Sequence, residues 1–148
     1  MDIWQYIIVI FVAVYSLGGF LLGYKQTKLK RNPYGLSKWF NPLGSFVWAD
    51  AVIFGLFFFL TSVLSLVLKD FILFLLVFSV FWTVRSIGES TYWFLEQFAD
   101  THKNPEHTLW ISRWFTRNSS WIANQIVNQC ITVIGIITSA YLFKIWLF

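Results

Sequence analysis

Hydrophobic residues run along the chain in four long stretches that are almost free of charge. They cover residues 3–23, 46–68, 71–92 and 120–143. Each has roughly the 20 helical residues that cross a bilayer core about 30 Å thick. Residues 46–84 are too long for a single crossing, because a helix of about 1.5 Å per residue would reach nearly twice that thickness. The chain must therefore fold back, and we predict the turn around Lys69-Asp70, the only charged pair in this segment. The pattern thus predicts four transmembrane helices.

The composition points the same way. Of 148 residues, 57% are hydrophobic, 22% are aromatic and only 12% are charged, whereas about a quarter of a soluble domain is charged. So many large apolar side chains would leave wide exposed patches on a short soluble chain. We predict an all-α polytopic membrane protein, a four-transmembrane-helix bundle that forms one membrane domain over residues 1–148. The first stretch follows Asp2 rather than a basic segment, so we interpret it as an anchor and not a signal peptide.

Lysine and arginine are concentrated in two of the three loops. The loop of residues 24–45 has five and no acidic residue, and the loop of residues 101–118 has three. The other side of the membrane has only Lys69 and Lys144. We expect the protein in the cell (inner or plasma) membrane. By the positive-inside rule, both long loops should then lie in the cytoplasm and both termini outside.

These loops also contain the candidate contacts to anionic lipid headgroups. They are Lys25, Lys28, Lys30, Arg31, Lys38, Arg113 and Arg117. In the second of the two loops, the segment "HTLWISRWFTR" has tryptophan and other apolar residues on one side and arginines beside them. That make-up is typical of a short interfacial helix. Two interpretations stay open for the basic residues: they bind lipid, or they only set the topology.

Four amides interrupt the first half of the fourth stretch: Asn124, Gln125, Asn128 and Gln129. An amide in hydrocarbon without a partner costs about 2–7 kcal/mol. With nearly all the other polar and small residues of this helix, the four share an arc of about 140°. The pattern predicts an amphipathic helix whose polar face is turned away from lipid.

Charged residues of the other helices are predicted to lie at a similar depth. Arg85 and Glu89 have the i,i+4 spacing of an ion pair, the third helix is expected to extend to about residue 100, and Asp50 lies about 7–8 Å below the start of the second. The predicted ligand- or partner-binding cluster comprises Asp50, Arg85, Glu89, Asn124, Gln125, Asn128 and Gln129. We predict that Asp50 pairs with Arg85 and that the amides line a hydrated pocket open to the cytoplasm. The alternative is that the amides only join helices by hydrogen bonds, each contributing about 0.6–2 kcal/mol.

The remaining motifs are weaker. Gly19-x-x-x-Gly23 favours close packing of the first helix, within the monomer or in a dimer. His102 and His107 fit no zinc template, and the single cysteine, Cys130, excludes an intrachain disulfide. We expect no metal, no cofactor and no nucleic-acid partner.

Three classes of function fit these features. The favoured one is a non-catalytic membrane subunit or adaptor, with the lipid bilayer, another membrane protein or a second copy of the chain as partners. The second is an oligomeric transporter or channel for an ion or small polar solute. The third is an intramembrane lipid-modifying enzyme that uses Glu89 or Asp50 as acid or base. The outer halves of helices two to four are almost wholly apolar, which argues against a continuous pore through one monomer.

Overall fold

The protein is all-helical in the part that a computed structural model describes, namely residues 1–101, 114 and 119–148. The long helices are α1 (Ile3–Tyr24), α2 (Trp48–Leu68), α3 (Phe71–Glu96) and α4 (Ser119–Leu147). All four are long and apolar enough to cross a membrane. The prediction of a four-helix membrane protein is therefore confirmed, and the chain is a multi-pass integral membrane protein whose apolar helices contact lipid.

The chain divides into two compact units, Met1–Val77 and Phe78–Phe148, with the boundary inside α3. The first unit contains α1, α2 and the loop between them. The second contains most of α3 and all of α4. Apart from Trp114, the residues of the predicted interfacial helix in the third loop lie outside the described part of the chain.

Small residues let α1 and α2 pack closely within the first unit. A methyl group built on Gly23 would lie 2.9 Å from the backbone oxygen of Trp48. One built on Gly55 would lie 2.8 Å from the backbone oxygen of Ser16. The end of α1 thus contacts the start of α2, and an earlier part of α1 contacts a later part of α2, so the two helices are antiparallel. Gly23 of the predicted close-packing motif thus packs against a neighbouring helix of the same chain.

The first loop folds back along α1 rather than extending away from it. After a short π-helix (Lys25–Leu29), the chain forms a 3-10 helix (Lys38–Leu43) whose Phe40 ring lies against Gly19. The Tyr15 hydroxyl donates a hydrogen bond to the backbone oxygen of Trp39. Gly19 is about 6 Å along α1 from Gly23, so the 3-10 helix lies deeper than the start of α2. This return of the chain is not evident from the sequence.

Hydrogen bonds join the second half of that loop to the start of α2. The buried Ser37 hydroxyl donates to the backbone oxygen of Ser45 at 2.9 Å, and the Ser37 amide donates to the backbone oxygen of Phe46 at 3.0 Å. The first amides of α2, which have no partner within the helix, donate to loop carbonyls: Trp48 to Gly35 at 3.0 Å and Ala49 to Pro33 at 2.9 Å. The loop is therefore an ordered cap on α2.

The turn between α2 and α3 consists of Lys69 and Asp70. Lys69 has a positive φ of 53° and donates its amide to the backbone oxygen of Leu66 at 3.2 Å. Asp70 accepts the amide of Leu73 at 2.9 Å through its side chain, as an N-cap residue does. Neither glycine nor proline is needed, because a helix-ending left-handed residue and a capping aspartate reverse the chain together.

Both later helices differ in length from the predicted spans. The regular α3 ends at Glu96, and the amides of Gln97, Phe98 and Ala99 make turn-type bonds to residues three positions earlier. At the other end of the chain, α4 continues to Leu147 instead of ending at 143. Its 29 residues extend about 44 Å, more than a bilayer core needs.

Candidate functional site

The polar residues predicted to form one cluster are distributed over both units. Asp50 belongs to the first unit, whereas Arg85, Glu89 and the four amides belong to the second. The Asp50–Arg85 pair therefore stays a prediction. Within the described residues, all of the cluster residues except Gln129 have a local hydrogen-bond or ion-pair partner.

Asp50 lies in the first turn of α2. Its Oδ2 atom accepts the backbone amide of Phe46 at 3.3 Å. A carboxylate in the first turn of a helix is stabilised by the helix dipole and by amides that have no partner within the helix. Part of the role of Asp50 is thus to fix the start of α2, whatever else it contacts.

Arg85 and Glu89 form the ion pair that their spacing predicts. The distance from Arg85 Nη2 to Glu89 Oε1 is 3.0 Å, and 22% and 16% of the two side chains are exposed. Arg85 is 14 residues from the start of α3, or about 21 Å along the helix. The pair brings opposite charges together within a membrane span and lowers the cost of burying either one.

Two of the four amides make a hydrogen bond to their own helix. Asn124 is buried and donates through Nδ2 to the backbone oxygen of Ser120 at 3.1 Å. Asn128 is half-buried and donates to the backbone oxygen of Asn124 at 2.9 Å, and Thr132 donates to that of Asn128 at 2.9 Å. These i to i−4 bonds satisfy part of the polar face without any second helix.

A third amide joins α4 to the end of α3. The Gln97 side chain donates to Oε1 of Gln125 at 2.7 Å. Further along α4, the Ser79 hydroxyl is 2.9 Å from that of Ser139 and 3.3 Å from the backbone oxygen of Gly135. We call this line of contacts the α3–α4 seam; it consists of Ser79, Thr83 and Gln97 on one side and Gln125, Gly135 and Ser139 on the other.

Gly135 allows the two helices of the α3–α4 seam to approach. A methyl group built on it would lie 3.3 Å from Cβ of Thr83 and closer still to the Thr83 hydroxyl. Thr83 itself donates to the backbone oxygen of Ser79 at 2.9 Å. Sequence reasoning did not single out the hydroxyl residues of α3. The signal was present, because Ser79, Thr83 and Ser86 follow one another at i, i+4 and i+7 and so share one face of the helix.

The fourth amide, Gln129, differs from the others. It is exposed, as is its neighbour Cys130. Its side chain makes no hydrogen bond with any residue in the part of the chain that the structure describes. The large side chains one turn before and after it, Ile126 and Val133, are 52% and 56% exposed. Gln129 is therefore an isolated amide on an apolar surface.

The predicted lipid-contacting cations of the first loop are all at the surface. Lys25, Lys28, Lys30, Arg31 and Lys38 are exposed. Lys28 donates to the Tyr24 hydroxyl at 2.7 Å. Two aromatic residues are exposed beside them, Tyr34 at 83% and Trp39 at 84%. Arg113 and Arg117 lie outside the described residues.

Comparison with protein-family models, with curated proteins and with solved structures finds no match to the chain. Within residues 1–101, 114 and 119–148, no three His, Cys, Asp or Glu side chains gather as metal ligands would.

Proposed function

We propose that the protein is a non-catalytic membrane subunit or adaptor, which binds a membrane helix of its partner through α4. The observation that carries this proposal is the isolated amide of Gln129. An amide facing hydrocarbon without a partner is costly, and interhelical hydrogen bonds from glutamine are a common means of joining membrane helices. The apolar side chains of Ile126 and Val133 around it would supply the packing.

The state of the other polar residues supports an adaptor over a monomeric pore. A conduction path needs polar groups that are available to a passing solute. Here Gln125 and Ser139 contact α3, and the Asn124 and Asn128 amides donate to their own helix. Contacts of this kind hold helices together, and they favour the structural role of the amides over a solute pathway.

We further propose that the first loop lies on the cytoplasmic headgroup region. Lys38 and Arg31 are exposed cations beside the exposed rings of Trp39 and Tyr34. Tryptophan and tyrosine favour the membrane interface, and each Lys or Arg near an anionic surface contributes about 1 kcal/mol of attraction. The ordered backbone of the loop would present these side chains in one orientation and so fix the unit in the cytoplasmic leaflet.

A photoreactive amino acid at position 133 tests the adaptor proposal. In membranes it should form adducts with protein, because a partner helix covers this face. The change Gln129→Leu should reduce the yield of those adducts. Thr138→Leu is the matched control, because it removes a polar group from the exposed opposite side of α4. Adducts with lipid alone, or equal yields from both variants, would refute the proposal.

Transport remains the second candidate, and the ion pair of Arg85 and Glu89 is the observation that favours it. Both side chains are partly exposed within a membrane span, where ionisable residues often mark ion or proton pathways. If the protein conducts, purified chain in liposomes should pass a proton or ion flux that Glu89→Gln abolishes. The enzyme alternative has less support, because both of its candidate carboxylates, Asp50 and Glu89, make structural contacts.

A further inference from the structure

The exposed amide belongs to a regular pattern on α4. Residues alternate at spacings of four and three along one face of the helix: Ile122, Ile126, Gln129, Val133, Ile136 and Ala140. All six are exposed. Spacings that alternate between four and three repeat every seven residues, as the core positions of a coiled-coil seam do; in such a seam each side chain packs between side chains of a facing helix. We call this line the heptad face.

The heptad face is distinct from the α3–α4 seam. Gln125, Gly135 and Ser139, which α3 contacts, are only partly exposed, whereas every position of the heptad face is exposed. Packing against α3 therefore leaves this face available. The surface is continuous for 19 residues, or about 28 Å of helix, which is close to the full thickness of a bilayer core.

Gln129 is the only polar side chain on the six-residue heptad face, and it lies well inside the membrane. The midpoint of α4 (Ser119–Leu147) is residue 133. Gln129 is four residues from that point, or about 6 Å. A core of about 30 Å extends about 15 Å to either side, so the amide lies about 9 Å below the interface.

We propose that the heptad face binds the same face of a second copy of this chain, in a parallel dimer with Gln129 hydrogen-bonded to the partner's Gln129. This inference rests on the proposed function, in which α4 binds a membrane helix, and it names the partner. Copies with one topology present their α4 helices in parallel. A two-fold axis along the membrane normal then brings equivalent residues to equal depth.

The chemistry of the amide favours a self-complementary pair. Glutamine carries both a carbonyl acceptor and an NH₂ donor, so two copies of Gln129 can each donate to the other. A different protein would need a polar group at the same depth on a matching apolar face. One polar residue at a core position of a coiled coil is also a known means of fixing register and oligomeric state.

Disulfide formation between single cysteines gives the geometric test. In full-length protein with Cys130→Ala, cysteines at 126 or 133 should form disulfide-linked dimers in liposomes. Cysteines at 127 or 134 are the matched controls: they lie at the same depth, but about 100° around the helix. Efficient linking only at 126 and 133 supports the dimer. Equal linking at all four positions, or none at any, overturns it.

The contribution of the amide is measured by energy transfer between two dye-labelled populations of the protein reconstituted at increasing lipid dilution. Gln129→Leu should weaken dimerisation by about 3- to 30-fold for each of the two reciprocal hydrogen bonds that it removes, the range of one interhelical hydrogen bond in a membrane. Gln129→Asn should retain part of the affinity, and Thr138→Leu should leave it unchanged. Dimerisation that Gln129→Leu leaves unchanged would overturn the role of the amide.

A photoreactive amino acid at position 126 separates this inference from the proposed function. An adduct of twice the chain mass supports the second copy as partner. An adduct of any other protein mass overturns the dimer but leaves the adaptor proposal standing. Adducts with lipid alone overturn both.

Discussion

Gly55→Ala should destabilise the first unit although it adds only one methyl group. A methyl carbon there would lie 2.6 Å from the backbone nitrogen of Phe20 and 2.8 Å from the backbone oxygen of Ser16. Unbonded heavy atoms prefer about 3.5–4.0 Å, so α1 and α2 would have to separate locally by about 1 Å. Both clashing atoms are backbone, and no rotamer change can relieve them. Overpacking of this kind costs about 1–3 kcal/mol.

Gly18→Ala is the matched control. Gly18 is also inside a long helix of the first unit, but nothing lies within 4 Å of a methyl group built on it. Both variants gain the same helix propensity, up to about 1 kcal/mol, so this contribution cancels when they are compared. The free energy of unfolding, from SDS titration in mixed micelles followed by far-ultraviolet circular dichroism, should be about 1–3 kcal/mol lower for Gly55→Ala. Equal stability of the two variants would refute the proposed close packing.

The remaining predictions concern topology, the charged residues and the amides. In a Cys130→Ala background, a cysteine at position 2 should react with an impermeant thiol reagent from outside the cell; labelling from the cytoplasmic side alone contradicts the topology. If Asp50 pairs with Arg85, Asp50→Ala should cost about 3–5 kcal/mol and Arg85→Met should recover part of it; simple addition of the two costs rules the pair out. Asn128→Leu should cost about 1 kcal/mol, and complete protection of a cysteine at 128 from water-soluble reagents excludes the hydrated pocket.

The number of membrane helices was predictable because hydrocarbon imposes a strong constraint on the chain. Every backbone polar group in a bilayer core must be paired, so a long apolar stretch has few options besides a helix. That residues 46–84 must reverse followed from their length, since one helix could not hold them, and the only charged pair in the segment, Lys69-Asp70, indicated where. The Arg85–Glu89 contact followed from helix geometry, because residues four apart face each other.

The fold of the first loop was not predictable in the same way. Its basic residues indicated a cytoplasmic, headgroup-facing segment, yet Phe40 packs against Gly19 inside the first unit. That return depends on Tyr15, Ser37 and Ser45 making specific hydrogen bonds. Hydrophobic periodicity carries no information about such bonds, since they join residues far apart in sequence and have no repeating spacing.

The helical pattern did not distinguish the three amides that have hydrogen-bond partners from the one that is exposed. Asn124 and Asn128 donate to carbonyls of their own helix, and Gln125 has Gln97 as a partner. The helical arc groups Gln129 with these three, although it is exposed. A polar arc of about 140° is so wide that residues at its edge do not contact the neighbouring helix that the rest of the arc faces. An amide at that edge is costly in hydrocarbon unless it has a hydrogen-bond partner. Gln129 is such an amide, and the other residues of the heptad face around it are apolar. Because an unpaired amide is costly in a membrane, Gln129 is the residue on which our proposal of a partner helix rests.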